Sequence, residues 1–381
     1  MQPPRTRRLL FVVTEDWYFL SHRLPLAQAA LEAGYEVLLA ARVGSHKAEI
    51  EAAGVRVVPL QSMRRSSLNP FHEAAALLEL YSIYRREKPD LVHQVALKPV
   101  LYGALAARLA GVPAQVNALG GLGFAFSSRR WLARLLRPLL VAAFRVFLND
   151  RRSRTILQNR DDYSVLTGPG RVSEDNVRLI RSAGVDLERY KDAPLAEGPP
   201  IILLASRMLW DKGVGEFVGA AAMLRQHGFQ ARCVLVGSPD DDNPTAIPRE
   251  QLQAWHEGGQ VEWWGYRNDM PDVLAQASIV SLPSYYGEGI PKVLIEAMAS
   301  SRPIVTTDMP GCRELVSEGV NGLLVPPRDV EALAHAFMQL LADEPGRRRM
   351  GQAGRQIALE AFSLPRVVTE TLALYRELLD K

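Results

Sequence analysis

The stretch SLPSYYGEGIPKVLIE, from Ser281 to Glu296, is the part of this chain that decides its architecture. The apolar run Ser278–Leu282 that leads into it has the length and composition of a buried strand. A glycine-flanked loop follows, and Pro291 suits the first position of a helix, where its missing N–H would have no partner. The stretch therefore predicts a strand, a loop that carries Glu288, and a helix that carries Glu296 one to two turns in.

The two glutamates and the predicted helix start form a pattern that suits a sugar nucleotide. The free backbone N–H groups of a helix start favour an anion such as a phosphate. Carboxylates before and inside the helix are acceptors for hydroxyl groups. A surface loop with two solvated acids is the alternative, because Glu-x7-Glu alone is a weak signal.

The length and composition of the chain predict two globular domains and no transmembrane helix. At 381 residues the chain exceeds the size at which single cores stop growing. No uncharged apolar run reaches about 18 residues. The first short apolar run is broken by Glu15 and Asp16, which favours a strand over a signal peptide. Cys233 and Cys312 give neither a disulfide framework nor a metal spacing, and they fit a reducing cytoplasm.

The charge of the chain is divided unevenly between its two halves. Residues 1–190 carry 27 lysines and arginines against 17 acids, a net charge of +10, whereas residues 191–381 carry 18 against 25, a net charge of −7. A basic first half suggests an anionic partner such as a membrane lipid, a phosphorylated lipid or a nucleic acid. We expect no nucleic acid, because the sequence contains no nucleic-acid-binding motif and its aromatic residues are not interleaved with basic ones.

Strand and helix signals alternate along both halves, which predicts two doubly wound parallel sheets in an α/β fold. In the first half the predicted strands are Leu9–Val13, Glu36–Ala40, Val55–Pro59, Leu91–Gln94 and Ala114–Ala118, and the predicted helices are Leu24–Ala33, Lys47–Ala53, Pro70–Glu87 and Pro99–Ala110. The pattern restarts after Gly198 with strands at Ile201–Ala205, Arg232–Val236, Val261–Trp264, Ser278–Leu282, Pro303–Thr306 and Gly322–Val325. The predicted helices there are Gly215–Gln226, Asp272–Ala275, Asp329–Leu341, Pro345–Glu360 and Pro365–Leu379.

The whole Ser281–Glu296 string resembles the Glu-x7-Glu signature of retaining glycosyltransferase family 4. The segment from Arg207 to Gly213 likewise resembles the Arg-x4-Lys-Gly element of that family. The resemblance implies the GT-B fold, in which two Rossmann-like doubly wound domains face each other across a cleft. It divides the chain into an acceptor-binding domain at residues 1–184, a linker at 185–200, a nucleotide-sugar domain at 201–362 and a helix at 363–381 that crosses back to the first domain.

The resemblance also implies the residues of the donor site. Arg207 and Lys212 would hold the diphosphate, where two fixed cations can stabilise the charge that grows as the glycosidic bond breaks. Glu288 would bind the hydroxyls of the donor sugar, and Glu296 those of the ribose. The other expected donor-binding positions are Gly237, Gly265, Tyr266, Arg267, Gly287, Gly289, Ile290, Pro291, Lys292 and Val293. A surface Arg and Lys are the alternative for the cation pair, and core packing is the alternative for the neighbouring Trp263–Trp264.

We expect no metal at this site. The run Asp240–Asp242 superficially resembles an Asp-x-Asp metal motif, but it lies in a loop with Asn243 and Pro244, and the resembled fold needs no metal. We interpret the run as a solvated acidic loop.

Two strings in the first half resemble a subset of the family that acts on lipid-linked oligosaccharides in capsule, O-antigen or protein glycosylation pathways. They are Phe19–Pro25, in the loop after the first strand, and Asn117–Phe124. Acceptor-side roles are thereby implied for Asp16, Arg23, Gly120 and Gly121, with His22 as the group that receives the acceptor's proton. Lys98 is an acceptor-side candidate for a different reason, because it lies at the end of a strand signal and could line the cleft. A surface position at a helix start is the alternative for His22. His93 is a further candidate for lining the cleft. Many relatives carry a histidine near Leu119, and this chain has none there.

The stretch Arg129–Leu140 is the sharpest basic amphipathic segment of the chain. Its arginines recur at helical spacing with Trp and Leu opposite, which suits a helix at an anionic membrane surface. An ordinary core-facing helix with a solvated basic face is the alternative. The membrane interpretation predicts a cytoplasmic protein that is peripheral on the inner face of the cytoplasmic membrane.

These inferences lead to an expected function. We expect a retaining glycosyltransferase that moves a sugar, by resemblance an N-acetylhexosamine, from a UDP-sugar to a polyprenyl-diphosphate-linked or glycan acceptor in cell-surface glycan biosynthesis, forming an α-linkage. The sequence offers no well-placed second carboxylate for a covalent intermediate, which favours a front-face route. A sugar-nucleotide epimerase of the same fold and a transferase acting on a small soluble acceptor are the alternatives.

Overall fold

A computed structural model describes residues 5–65, 69–122, 131–168, 171–192, 194 and 198–380, without the side chains of 131–136. The chain forms two compact units. The first unit is Met1–Gly184 together with Leu364–Lys381, and the second is Val185–Ser363.

The first unit is built on a parallel sheet in which seven strands lie within the described residues. Their order is β3-β2-β1-β4-β5-β6-β7. The bounds are β1 Arg8–Glu15, β2 Glu36–Arg42, β3 Arg56–Pro59, β4 Leu91–Val95, β5 Ala114–Leu119, β6 Ser153–Leu157 and β7 Val177–Leu179. Most of these strands are buried along their length because helices cover both faces, which explains why they appear in the sequence as apolar runs instead of alternating patterns.

The helices of the first unit pack on both faces of this sheet. They are α1 Asp16–His22, α2 Leu24–Glu32, α3 Lys47–Ala52, α4 Pro70–Glu87, α5 Leu97–Ala110, α6 Trp131–Phe147, α7 Arg160–Thr167 and the C-terminal α14 Leu364–Leu379. Residues of α2 and α14 share one core with Phe11, whereas residues of α4 and α5 share another with Leu10. The side chains of Leu10 and Phe11 lie on opposite faces of β1, so each packs in a different core.

The second unit repeats the design with a parallel sheet in the order β10-β9-β8-β11-β12-β13. Its strands are β8 Ile201–Ala205, β9 Arg232–Val236, β10 Glu262–Trp263, β11 Ile279–Leu282, β12 Ile304–Thr307 and β13 Gly322–Val325. Its helices are α8 Val214–Gln226, α9 Arg249–Glu257, α10 Met270–Gln276, α11 Lys292–Ala299, α12 Val330–Ala342 and α13 Glu344–Ala361. The predicted α/β class with two Rossmann-like sheets is confirmed.

Several local expectations need correction. The segment after β1, expected as a loop, forms the helix α1. Pro291 lies one residue before α11, with an extended ψ of 113°, instead of at its first position. The sequence patterns predicted none of β6, β7, α1, α7 and α9. Of the segment Arg129–Leu140, the structure describes a helix from Trp131 onward, and the side chains up to residue 136 lie outside the described part.

The C-terminal helix α14 completes a core of the first unit. Leu374 is 4% exposed and Tyr375 is fully buried, and both pack in the core that contains Phe11 and Phe19. The Tyr375 hydroxyl lies 2.5 Å from the Nδ1 atom of His93 on β4. The last residues of the chain are therefore structural parts of the unit that the first residues begin.

Replacing Leu374 with alanine is expected to lower the free energy of unfolding of the first unit by about 2–5 kcal/mol, since a buried leucine loses its contacts and leaves a cavity. Urea denaturation followed by tryptophan fluorescence measures this. Leu359→Ala on α13, where the leucine is 43% exposed, is the matched control and should change stability by less than about 1 kcal/mol. Equal losses in the two variants would contradict the structural role of α14.

Candidate functional site

The carboxyl ends of β8, β11 and β12 lie side by side in the second unit. β11 pairs in parallel with both of its neighbours, so the segments that follow the three strands leave the sheet at the same edge. These segments are 206–213 after β8, 283–291 after β11 and 308–312 after β12. In open α/β sheets this edge is where ligands bind.

An ion pair joins two of these segments. The Lys212 Nζ atom donates to the Glu288 Oε1 atom at 2.5 Å, and the two side chains are only 15% and 13% exposed. The buried Ser284 hydroxyl lies 2.8 Å from the same Oε1 atom. A cation and a hydroxyl group therefore hold the Glu288 carboxylate through its Oε1 atom.

Close backbone packing fixes the segments that carry this pair. A Cβ atom on Gly213, where φ is +75°, would lie 2.1 Å from the Pro283 carbonyl oxygen. A Cβ atom on Gly311, where φ is +80°, would lie 2.1 Å from the Gly289 carbonyl oxygen. The Glu288 N–H also donates to the Pro310 carbonyl oxygen at 3.1 Å. The Glu288 segment is therefore held between the segments after β8 and β12.

Glu296 lies inside α11 and is held by two side chains. It is 6% exposed, and the Lys292 Nζ atom lies 3.2 Å from its Oε1 atom. The buried Tyr190 hydroxyl donates to the same carboxylate; burial, and then this acidic partner, raise the pKa of Tyr190. The Tyr190 backbone is in turn fixed by Arg355, which donates to its carbonyl oxygen at 2.7 Å. No local sequence pattern identifies Tyr190 as a site residue, because its partner Glu296 is distant along the chain.

Arg207 is paired with the acidic run after β9. Its guanidinium donates to the Asp240 Oδ2 atom at 2.5 Å, and the Asp240 side chain is only 14% exposed. The interpretation of the whole run 240–242 as a solvated loop is therefore wrong for Asp240. An aspartate that contacts a cation at the sheet edge is part of the site.

The segments after β9 and β10 approach each other beside this pair. The Gly237 N–H, at a residue with φ of +135°, donates to the Gly265 carbonyl oxygen at 2.7 Å. The Trp263 Nε1 atom donates to the Gly237 carbonyl oxygen at 2.8 Å, so this indole braces the loop. Tyr266 is 75% exposed and Arg267 pairs with Asp269. These side chains are available to a ligand or to solvent.

The remaining donor-site candidates surround the Glu288 segment. Ile290 is 7% exposed and packs in a core, Pro291 and Gly289 are buried, Gly287 is buried, and Val293 is half-buried. No side chain caps the start of α11 among the described residues. The arrangement offers backbone amides, cations and carboxylates at one sheet edge.

The acceptor-side candidates lie in the first unit after β1. Asp16 is 2% exposed and its carboxylate accepts from the N–H groups of Trp17, Gly44 and His46. His22 stacks on Tyr18 and its Nδ1 atom lies 2.6 Å from the Ser21 hydroxyl. Arg23 is 5% exposed, and its Nε atom finds no hydrogen-bond partner within the described residues. The Asp16 carboxylate thus binds backbone N–H groups. Arg23 is a buried cation whose Nε atom has no hydrogen-bond partner within the described residues.

The other first-unit candidates are dispersed. The Lys98 Nζ atom contacts Glu73 at 2.7 Å and the Arg64 carbonyl oxygen at 3.0 Å. Gly120 is exposed and Gly121 has a φ of +121°. His93 is fully buried against Tyr375 and Phe11, and burial lowers its pKa well below 6.5. The expectation that His93 lines a cleft is therefore wrong.

The described residues contain no group of three or more His, Cys, Asp or Glu side chains arranged to hold a metal ion. None of the helices in the described ranges is both long and apolar enough to span a bilayer.

Two protein families match this chain, one in each half. Residues 8–159 match the family described as "Glycosyl transferase 4-like", and residues 199–343 match "Glycosyl transferases group 1". The second match contains the ion pair between Lys212 and Glu288.

Individual proteins are similar over most of the chain. The N,N'-diacetylbacillosaminyl-diphospho-undecaprenol alpha-1,3-N-acetylgalactosaminyltransferase of Campylobacter jejuni is 28% identical over 90% of this chain and 93% of its own length. The UDP-Gal:alpha-D-GlcNAc-diphosphoundecaprenol alpha-1,3-galactosyltransferase of Escherichia coli is 24% identical over 79% of this chain and 78% of its own length. The structure of Anabaena HepE with UDP and glucose has a TM-score of 0.77 and 20% identity, covering 96% of this chain and 98% of that one.

Replacing Gly311 with alanine is expected to displace the Glu288 segment, because the new Cβ atom cannot occupy the 2.1 Å gap to the Gly289 carbonyl oxygen. Chymotrypsin cleavage after Tyr285 and Tyr286, in the same segment, should accelerate in this variant. Gly319→Ala is the control, since Gly319 also has a left-handed φ, +71°, but its Cβ atom would meet nothing within 4 Å. Both variants bear the left-handed strain of about 1–2 kcal/mol. Equal cleavage rates in the two variants would count against the packing argument.

Proposed function

The chain belongs to the family 4 glycosyltransferases with the GT-B fold, and we propose that it moves an N-acetylhexosamine from a UDP-sugar to a polyprenyl-diphosphate-linked acceptor. The observation that carries the proposal is the ion pair between Lys212 and Glu288. It brings the Arg-x4-Lys-Gly element and the Glu-x7-Glu element together at one sheet edge. The product would be a lipid-linked precursor of a cell-surface glycan such as lipopolysaccharide or capsule.

The names of similar proteins motivate the donor and the acceptor. The Campylobacter protein is named for transfer of N-acetylgalactosamine to an undecaprenol-diphosphate-linked sugar, and the Escherichia coli protein for transfer from UDP-galactose to such an acceptor. The HepE structure contains UDP. We propose the same classes of donor and acceptor here, with Glu296 on the ribose hydroxyls and Glu288 on the sugar.

Arg207 and Lys212 are proposed to hold the diphosphate without a metal ion. Each contacts one carboxylate, Asp240 or Glu288. An ammonium has three N–H donors and a guanidinium five, so both cations keep donors for phosphate oxygens. Because the carboxylates fix both side chains in advance, little reorganisation is needed when charge develops on the departing diphosphate.

The proposed reaction retains the anomeric configuration and forms an α-linkage. The acceptor hydroxyl oxygen bonds to the anomeric carbon on the face from which the diphosphate leaves, while the bond between that carbon and the β-phosphate oxygen breaks. The hydroxyl proton passes to a phosphate oxygen of the departing UDP. Lys212 and Arg207 stabilise the negative charge that this oxygen carries before the proton arrives.

The acceptor is proposed to bind to the first unit. Arg23, a cation that is 5% exposed, is proposed to attract a phosphate of the lipid carrier through its charge. His22 is proposed to contact the acceptor hydroxyl. Asp16 would support them indirectly, since its carboxylate holds the N–H groups of Gly44 and His46.

We also propose that the first unit lies on an anionic membrane surface, at the inner face of the cytoplasmic membrane. On α6, Leu139 and Val146 are 66% and 53% exposed, and Arg145 between them is exposed as well. On α4, Phe71 is 83% and Leu78 is 66% exposed. Exposed apolar side chains beside arginines are the combination that binds a headgroup region.

Binding to vesicles tests the membrane proposal. The protein should co-sediment with phosphatidylglycerol vesicles at low salt and dissociate as salt rises, because each basic residue near the surface contributes about 1 kcal/mol that is screened. Phosphatidylcholine vesicles are the control and should bind less. Binding that depends neither on the salt concentration nor on the charge of the lipid would contradict this part of the proposal.

Lys212→Ala is expected to lower the rate of sugar transfer by about 10²–10³-fold, because it removes charge stabilisation made in the transition state. The assay combines UDP-N-acetylhexosamines with a polyprenyl-diphosphate-linked acceptor and measures both UDP release and the glycolipid. Lys47→Ala is the control, since Lys47 lies at the start of α3 in the first unit and is exposed.

The same assay tests the proposed reaction itself. UDP should appear only when acceptor is present, and the new linkage should be α when examined by proton NMR. A β-linked product would refute retention, and near wild-type turnover in Lys212→Ala would refute the role of this lysine.

A further inference from the structure

The glycine segment that follows β5, residues 120–122, is tied to the first turn of α7. The Leu122 N–H donates to the Asp162 Oδ2 atom at 3.2 Å. Within the described part of the chain, this is the only hydrogen bond that the backbone of residues 120–122 makes. The course of the segment therefore depends on a side chain that is 40 residues away in the sequence.

Asp162 is itself held in place by Asn159, the N-cap residue of α7. The Asn159 Oδ1 atom accepts from the Asp162 N–H at 2.7 Å, and the Asn159 Nδ2 atom donates to the Asp162 Oδ2 atom at 2.8 Å. Both side chains are buried, and Asp162 is only 6% exposed. In a capping box, the acid of the first turn reaches back to the backbone N–H of the N-cap residue. Here the carboxylate binds the Asn159 side chain and an N–H group of another segment, so it does more than cap the helix.

The glycine segment needs such a support because its own conformation is permissive. Gly121 has a φ of +121°, which a residue with a Cβ atom rarely adopts, and glycine backbone moves freely between conformations. The Leu122 side chain is 3% exposed and packs in a core with Leu166 of α7. Core packing thus holds the Leu122 side chain, and Asp162 holds its N–H group. Together they determine where the backbone of Gly120 and Gly121 lies between β5 and Leu122.

The glycine segment lies beside the acceptor-side candidate His22. The Tyr18 hydroxyl oxygen is 3.8 Å from the position that a Cβ atom on Gly120 would take. The rings of Tyr18 and His22 stack with their centroids 4.4 Å apart and their planes within 6° of each other. This proximity follows from the sheet, because β1, β4 and β5 are parallel neighbours whose following segments leave at the same edge. Gly120 is exposed there, and without a side chain its backbone can be approached closely by a ligand.

We propose that Asp162 is a positioning residue for the acceptor. Through the Leu122 N–H it sets the position of the Gly120 and Gly121 backbone, which contacts the acceptor next to His22. Asp162 is buried and acts through the glycine segment, without touching a substrate. This inference rests on the proposed function, and in particular on an acceptor site in the first unit.

Amide hydrogen exchange at Leu122 tests the contact without any substrate. Asp162→Ala should accelerate the exchange of the Leu122 N–H by at least about tenfold, because a hydrogen bond to a charged group is lost. Asp162→Asn should keep most of the protection, since both donors contact one oxygen and the amide still offers one. Asp150→Ala is the matched control. The Asp150 carboxylate also accepts from a backbone N–H, that of Arg152 at 2.9 Å, but at the amino end of β6.

Transfer kinetics test the consequence for the acceptor. With a UDP-N-acetylhexosamine and a polyprenyl-diphosphate-linked acceptor, Asp162→Ala should raise the KM for the acceptor about tenfold and change the KM for the UDP-sugar less than about twofold. Asp162→Asn should restore the KM for the acceptor, and Asp150→Ala should not alter it. A purely structural role would move both KM values together. If Asp162→Ala does not fold, Asp162→Ser decides, because its hydroxyl keeps a small polar group in α7 but falls one bond short of Leu122.

The two measurements separate this inference from the proposed function. A wild-type chain that transfers no sugar to this acceptor refutes the proposed function, and the role of Asp162 fails with it. An active chain overturns the inference alone if Asp162→Ala leaves either the exchange of the Leu122 N–H or the KM for the acceptor unchanged.

Discussion

The parallel pairing of β8, β11 and β12 is the constraint on which the second unit depends. Parallel strands all end at the same edge, so segments that are far apart in the sequence leave the sheet as neighbours. Lys212 and Glu288 are 76 residues apart and yet 2.5 Å from each other. Without this register neither the ion pair nor the packing of Gly311 on the Glu288 segment would exist. The site is therefore a property of the sheet, and its loops carry the chemistry.

The main effect of the ion pairs at this edge is to hold charged side chains in place. They add little to the free energy of unfolding. Removing two ions from water costs several kcal/mol each, and the attraction between them often only offsets that cost. The pair between Lys212 and Glu288 is about seven-eighths buried and is supported by the Ser284 hydroxyl. Such an arrangement holds a cation and a carboxylate in fixed positions before a ligand arrives. The glycines that allow close backbone contact serve the same purpose.

The sequence predicted the fold class and the main site elements because both depend on local patterns. Strands buried on both faces appear as apolar runs, and the Glu-x7-Glu string carries its strand, loop and helix within it. β6 was missed because its residues Ser153, Arg154 and Thr155 are polar although buried. The contacts of Arg207 with Asp240 and of Tyr190 with Glu296 were missed for a different reason. These contacts form only when segments that are distant in the sequence meet in the fold, so no local sequence pattern predicts them.

The distribution of charge shows why net charge is a poor guide to this binding site. Residues 191–381 have a net charge of −7, yet the edge that carries Arg207 and Lys212 is proposed to bind a diphosphate. Charges in water are screened within about 8 Å at physiological salt, so exposed acids elsewhere on the unit have little influence there. Partly buried cations that are held in place act at short range and lower effective dielectric. A few fixed side chains at a sheet edge therefore outweigh a larger number of solvated acids of opposite sign.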